Sequence, residues 1–129
     1  MAVCLANRVK DAEITVTQSA SGTFAVVVQL QGENGEDLTA VAVVGYHLSK
    51  SADGSDIATT ATDVTTLAAG TDGLVMEDNV DGNVWGKLQS ESDGDIDLAI
   101  VVPASKVVYL CVELPDGSLV ISDDMTYGM

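Results

Sequence analysis

The stretch "ESDGDIDLAIVV", residues 91–102, places Glu91, Asp93, Asp95 and Asp97 at every second position. Carboxylates so spaced can open a calcium loop, whose oxygens converge on a hard cation. The same stretch interleaves Ile96, Leu98, Ile100 and Val102, the period-two pattern of a half-buried strand. A calcium loop closes at its twelfth position on a bidentate glutamate, and the twelfth residue from Glu91 is Val102. Asp93 also precedes Gly94, and a short acid beside a turn glycine is favoured because it bonds its own backbone. The expectation is a turn followed by a strand from Asp95, with Asp95 and Asp97 toward solvent. Under the alternative reading Asp93, Asp95 and Asp97 are the metal ligands.

The remaining reactive residue types are sparse. His47 is the one histidine, in "VVGYHLS". Alternation puts Val44, Tyr46 and Leu48 on one face and Val43, Gly45 and His47 on the other, so His47 is expected on the surface of a strand. One histidine makes neither a triad nor a metal site. Cys4 and Cys111 are the two cysteines; in a cytoplasmic product two reduced thiols are expected. Asp123 and Asp124 are adjacent acids after a strand, expected as a solvated turn. No nucleophile elbow, phosphate-binding glycine loop or Cys-x-x-Cys occurs. With no base, nucleophile and orienter together, the expectation is a protein without catalytic residues or cofactor.

The elements that must position these residues are strands. Val, Ile and Thr are abundant, and apolar positions alternate almost throughout. Strands are expected at "EITVTQ" from Glu13, "TFAVVVQLQ" from Thr23, "VAVVGYHLS" from Val41, "DVTTL" from Asp63 and "GLVMED" from Gly73. Further strands are expected at "NVWGKLQS" from Asn83, "DIDLAIVV" from Asp95, "KVVYLCVEL" from Lys106 and "SLVIS" from Ser118. Turns are expected at Asn34-Gly35, Asp53-Gly54, Asp72-Gly73, Asp81-Gly82, Asp93-Gly94 and Asp116-Gly117, where glycine supplies a positive φ. The pattern is that of an all-β sandwich, and 129 residues suffice for one domain. Residues 1–12 are expected as an N-terminal arm or edge segment and 13–129 as the sandwich.

Charge narrows the partners. The net charge of -15, from 20 acids against 5 Lys and Arg, leaves no basic patch for phosphates, so nucleic acid is not an expected partner. A content of 47% hydrophobic residues opposes disorder. The apolar runs are strand-sized and no leader is evident, so a soluble chain made in the cytoplasm, with no membrane partner, is expected.

Two strands are apolar on both faces. In "FAVVVQL", Phe24, Val26, Val28 and Leu30 are backed by Ala25 and Val27; in "KVVYLCVEL", Val108, Leu110 and Val112 are backed by Tyr109 and Cys111. In a sandwich only one face meets the other sheet, so the second must be capped by a loop or a neighbouring subunit. Trp85 and Lys87 share a strand face and would suit a contact surface, although core burial is the expectation for Trp85. The arm offers Val3, Leu5 and Val9 for apolar burial and Arg8 and Lys10 as two of the few cations. These seven residues are the interface candidates, and a homo-oligomer is expected.

The phrases "VVVQLQGENGEDLTAVAVVGYHLSKSADG" and "SESDGDIDLAIVVPASKVVYLCVELPDGSLVIS" resemble the opening and closing phrases of immunoglobulin-like domains in bacterial and phage proteins. Tyr109 and Cys111 have the spacing of the tyrosine corner, while the early strand lacks a partner cysteine and Tyr46 stands nearest the place of the core tryptophan. Short virion proteins of tailed bacteriophages, head decoration proteins and tail modules among them, look like this throughout. The resemblance implies an Ig-like β-sandwich of about 7–9 strands. It also implies a virion structural protein, in the first place a capsid decoration or cement protein whose partners are the major capsid protein and copies of itself. A tail, neck or fibre component is the alternative within that class. An adhesion module binding carbohydrate or calcium is the alternative outside it.

Overall fold

Strand follows strand in this chain because its apolar residues recur with period two, which leaves each segment one dry face to bury. The computed structural model describes residues 9–32, 34–58, 63–64, 66–70, 73–75 and 84–127. The strands are β1 (Asp11–Ala20), β2 (Thr23–Gln31), β3 (Val43–Ser49), β4 (Thr66–Ala69), β5 (Leu74–Val75), β6 (Trp85–Gln89), β7 (Asp95–Val101), β8 (Val107–Glu113), β9 (Leu119–Ile121) and β10 (Met125–Thr126). Each of the nine expected strands has a counterpart. β1 begins two residues before the expected Glu13, and β10 was not foreseen. The parts of the expected "GLVMED" and "NVWGKLQS" strands at 76–78 and Asn83 lie outside the described residues.

All pairings are antiparallel. One sheet has the order β1-β2-β7-β4. The other has the order β10-β8-β3-β6-β5, with β9 also on β8. β9 pairs with Cys111–Glu113 and β10 with Val107 and Val108, so they lie end to end along one edge of β8. Taking β1, β2, β3, β4, β7, β8 and the β9–β10 edge as strands A to G, the sheets read A-B-E-D and G-F-C. That is the seven-strand immunoglobulin order. β5 and β6 add to the edge of C, as the extra strands of variable-type domains do, but they enter the chain after D.

The core lies between the sheets. From the first come Phe24, Val26, Val28, Leu30, Ile96, Leu98 and Ile100; from the second, Val44, Tyr46, Leu48, Leu88, Val108, Leu110, Val112 and Met125. It is an aliphatic core, since Phe24 and Tyr46 are its only aromatic members among the described residues, and each fully buried Val, Leu or Ile contributes about 1.5–3 kcal/mol. Cys111 is buried too, yet it is not part of this cluster. It sits on the outer face of β8, with Tyr109. The tyrosine-corner spacing therefore does not place a cysteine in the core here.

Turn chemistry follows the sequence. Gly35, Gly54, Gly73, Gly94 and Gly117 all have positive φ, and the expected Asp81-Gly82 turn lies outside the described residues. Gly94 shows why glycine is needed. A Cβ there would stand 2.8 Å from the Leu38 carbonyl oxygen, at the corner where the chain passes from the second sheet to β7.

Two serines close the ladders where strands turn away. Ala42 N donates to Ser90 Oγ at 3.0 Å while Ser90 N donates to Ala42 O at 2.8 Å. Leu110 N donates to Ser122 Oγ at 2.9 Å while Ser122 N donates to Leu110 O at 2.8 Å. In both, a hydroxyl stands in for the carbonyl that a continuing strand would have supplied, so a buried N–H keeps a partner. Ser122→Ala should leave Leu110 N unpaired and cost about 1–3 kcal/mol, read as a lower denaturant midpoint at unchanged slope; an unchanged midpoint would refute this role.

Candidate interaction surfaces

The outer face of the second sheet is built in rows. His47 pairs with Trp85 on one side and Cys111 on the other, and Cys111 pairs with Ile121. The next row is Lys87, Gly45, Glu113 and Leu119. The chain itself covers part of this face. After β3, residues 50–58 fold back: Lys50 N donates to Asp56 O at 2.7 Å and Ala58 N to Leu48 O at 2.8 Å. Gly54 comes down over the cysteine, where a Cβ would be 3.3 Å from Cys111 Sγ and 3.0 Å from Leu119 Cδ1.

Asp53 shapes that loop from within. Its Oδ1 accepts from Ser51 Oγ at 2.7 Å, Ser55 Oγ at 2.7 Å and Ser55 N at 3.0 Å. The Ser55 hydroxyl first, then the Ser51 hydroxyl, then the Ser55 N–H, lower the carboxyl from the usual 3.8 to about 2. The same three letters, Asp-Gly-Ser, recur at 116–118. There Asp116 Oδ1 accepts from Ser118 Oγ and N, and these bonds hold the carboxyl below its ordinary range, with Lys10 adding a smaller favourable charge.

His47 fastens the loop to the sheet. It is only 8% exposed, which overturns its expected place on the surface: alternation put it on the outward face correctly, but residues 50–58 cover that face. Nε2 lies 2.9 Å from the Gly54 carbonyl oxygen and Nδ1 3.0 Å from Glu113 Oε2. Against a carbonyl and an ionised carboxylate, only the imidazolium donates both bonds at once; the neutral ring donates one. Gly45 makes the reach possible. A Cβ at 45 would stand 2.8 Å from Glu113 Oε1, so the glutamate lies across a bare backbone to meet the ring. Burial pushes the Cys111 thiol up to about 11, with the charges of Glu113 and Asp53 adding to it, so the sulfur stays protonated and is no nucleophile at neutral pH.

Beside the covered part the face opens into a groove of about 350 Å³, lined by Gly45, His47, Ile57, Trp85, Lys87 and Glu113 among others. Trp85 is 42% exposed, so the expected core burial does not occur. Its residue type pointed inward, while its strand position, between the buried Val84 and Leu88, points outward. Lys87 shares the face as expected and has no ion-pair or hydrogen-bond partner among the described residues. Ile57 and Glu113 were not singled out in the sequence. Glu113 is visible as a site residue only once the register sets it diagonal to His47.

Among the described residues no segment covers the outer face of the first sheet. One row across it is Thr17, Ala25, Ala99 and Ala68. The next is Thr15, Val27 and Asp97, with Val27 at 38% exposure. The sandwich thus treats its two doubly apolar strands differently. The outer side of β8 is capped by the chain's own loop, and the outer side of β2 is open.

The other expected site residues fall as follows. Val9 is 2% exposed in the domain's own core, and Lys10 N donates to Gln31 O at 2.9 Å, continuing the β1–β2 ladder. That much of the arm belongs to its own sheet, so Val9 has no apolar surface left for a neighbour. Val3, Leu5 and Arg8, with Cys4, lie outside the described residues. Asp93 Oδ1 accepts from Asp95 N at 3.2 Å, an Asx turn, and Asp95 and Asp97 lie along β7 facing β2 residues Gln29 and Val27. Among the described residues no group of three His, Cys, Asp or Glu side chains is placed to hold a metal ion, and no helix is long and apolar enough to cross a membrane. No family model, curated protein or solved structure matches the chain.

Two outcomes follow from the loop. His47→Ala should cost about 1–3 kcal/mol, because it strips the Gly54 carbonyl of its donor, and should raise amide exchange across 50–58 more than in β2; uniform exchange would refute the fastening role. Asp53 has a folded pKa below its unfolded one, so its contribution is present above about pH 4 and is lost as pH falls toward about 2. Carboxyl NMR should place the Asp53 titration below the ordinary 3.8, with 51–55 loosening over the same window.

Proposed function

We propose that this chain is a structural protein of a tailed-phage virion, a decoration protein that seats on the outer capsid lattice through the open face of β1-β2-β7-β4. The observation that carries the reading is that open face. Ala25, Val27, Ala99 and Ala68 form an uncovered patch of short apolar side chains, in a fold that elsewhere covers its surplus apolar strand with its own loop. Such faces serve contact. The resemblance of the two long phrases to phage Ig-like domains supports the virion setting.

The mechanism is geometric. Copies bury the flat face against the major capsid protein, and each bridges neighbouring capsomers without any chemical step. The net charge of -15 keeps adjacent copies and whole particles apart. The short side chains matter, since a flat patch of alanine and valine admits close approach of another backbone.

Mass spectrometry of purified particles should find the chain at a copy number near that of the major capsid protein. A few copies per particle would move it to the tail or a fibre, and absence from particles would overturn the virion reading. Val27→Lys puts a long charged side chain on the patch at an exposed position, opposite Asp97, where the pair does not repel. It should leave thermal unfolding nearly unchanged while lowering capsid occupancy by about tenfold or more; full occupancy would show that another face makes the contact.

A further inference from the structure

We propose that the groove on the outer face of the second sheet is a binding site for a neutral saccharide, with the ring stacked on Trp85 and its hydroxyls held between Lys87 and Glu113. The site lies on the sheet opposite the proposed capsid-seating face and does not depend on where the chain is housed.

The shape comes from the register. Lys87, Gly45 and Glu113 are consecutive in one row across β6, β3 and β8, so two strand spacings, about 10 Å, separate the backbones that carry the ammonium and the carboxylate. The residue between them has no side chain. Glu113 leans into that space, since a Cβ at Gly45 would stand 2.8 Å from its Oε1, so the slot has the Lys87 donor at one side and the carboxylate acceptor over its floor. Trp85 and Ile57, 42% and 54% exposed, stand over it as apolar walls. The volume, about 350 Å³, lies in the range of about 300–1,000 Å³ usual for small-ligand sites.

The polar groups select the ligand class. Glu113 is positioned before any ligand arrives, because His47 holds Oε2; its side chain is 49% exposed, which leaves Oε1 to accept from a hydroxyl. Lys87 donates. One anion and one cation face the slot, so its lining has little net charge, and the -15 of the whole chain repels polyanions such as sulfated glycans or nucleic acid. A pyranose ring offers both what the slot requires: an apolar face of C–H groups for the indole, and hydroxyls around its rim that donate and accept.

Trp85 is the chain's one tryptophan, so its fluorescence reports the site directly. The purified chain is titrated with neutral trisaccharides of glucose, galactose and N-acetylglucosamine, with a heparin-derived oligosaccharide and a Gly-Gly-Gly peptide alongside. At least one neutral trisaccharide should shift Trp85 emission saturably and move the amide signals of Gly45, Lys87 and Glu113. Trp85→Ala, which truncates an exposed side chain, should abolish those amide shifts with the circular dichroism spectrum unchanged. Lys87→Met should weaken binding about five- to tenfold. The proposal is overturned if no neutral saccharide moves these signals, if heparin or the peptide is the better ligand, or if binding survives Trp85→Ala.

Discussion

The hydrogen bond from His47 to the carbonyl of Gly54 joins the second sheet to the loop that covers it, and much of the outer architecture depends on it. β8 is apolar on both sides, and a sandwich can dry only one of them. Residues 50–58 dry the other by bringing Gly54 onto Cys111. Once the loop is there, its far end stands Ile57 beside Trp85, and the covered sheet ends in a wall. The groove is the margin of that cover. His47 also holds Glu113, so one side chain organises both the lid and the polar edge of the open part.

The strand plan was legible in the sequence because it rests on local rules. Period-two alternation set the faces of β2, β7 and β8, and the Asp-Gly and Asn-Gly pairs marked where strands end. β10 escaped because Met125 and Thr126 are too few to show a period, and they follow two acids that read as a solvated turn. The faces of His47 and Trp85 were also legible. What misled was residue type in one case and missing tertiary information in the other: tryptophan prefers burial on average, and nothing local says that a loop folds back over His47. Glu113, Ile57 and Gly45 could not be assembled into one site without the pairing of β3 with β6 and β8, which is a long-range fact.

The acids divide in the same manner. Asp53, Asp93 and Asp116 all precede a glycine, and each bonds the backbone or hydroxyl two residues on. Their carboxylates are consumed locally, as the turn reading expected. Asp63 is different. It is buried, 3.6 Å from Lys106 Nζ, so one of the few cations neutralises an acid that sits away from water. Lys50 likewise meets Asp56. Lys87 stands apart from both in facing an open groove.

Two of the strand edges differ in a way that bears on self-association. Along β8 the last neighbour is broken into β9 and β10, with Ser122, Asp123 and Asp124 between them, so no long row of unpaired N–H and C=O groups is offered there. Interruption and charge are the usual means by which an edge discourages a foreign strand. β1 is longer, ten residues, and holds no proline; Asp11 and Glu13 lie near one end and a register shift between Gln18 and Ala20 near the other, so only its middle is a plain edge. If copies of this chain add strand to strand, the middle of β1 is the stretch that offers itself, and an antiparallel pair of β1 strands would run the first sheet on across two copies.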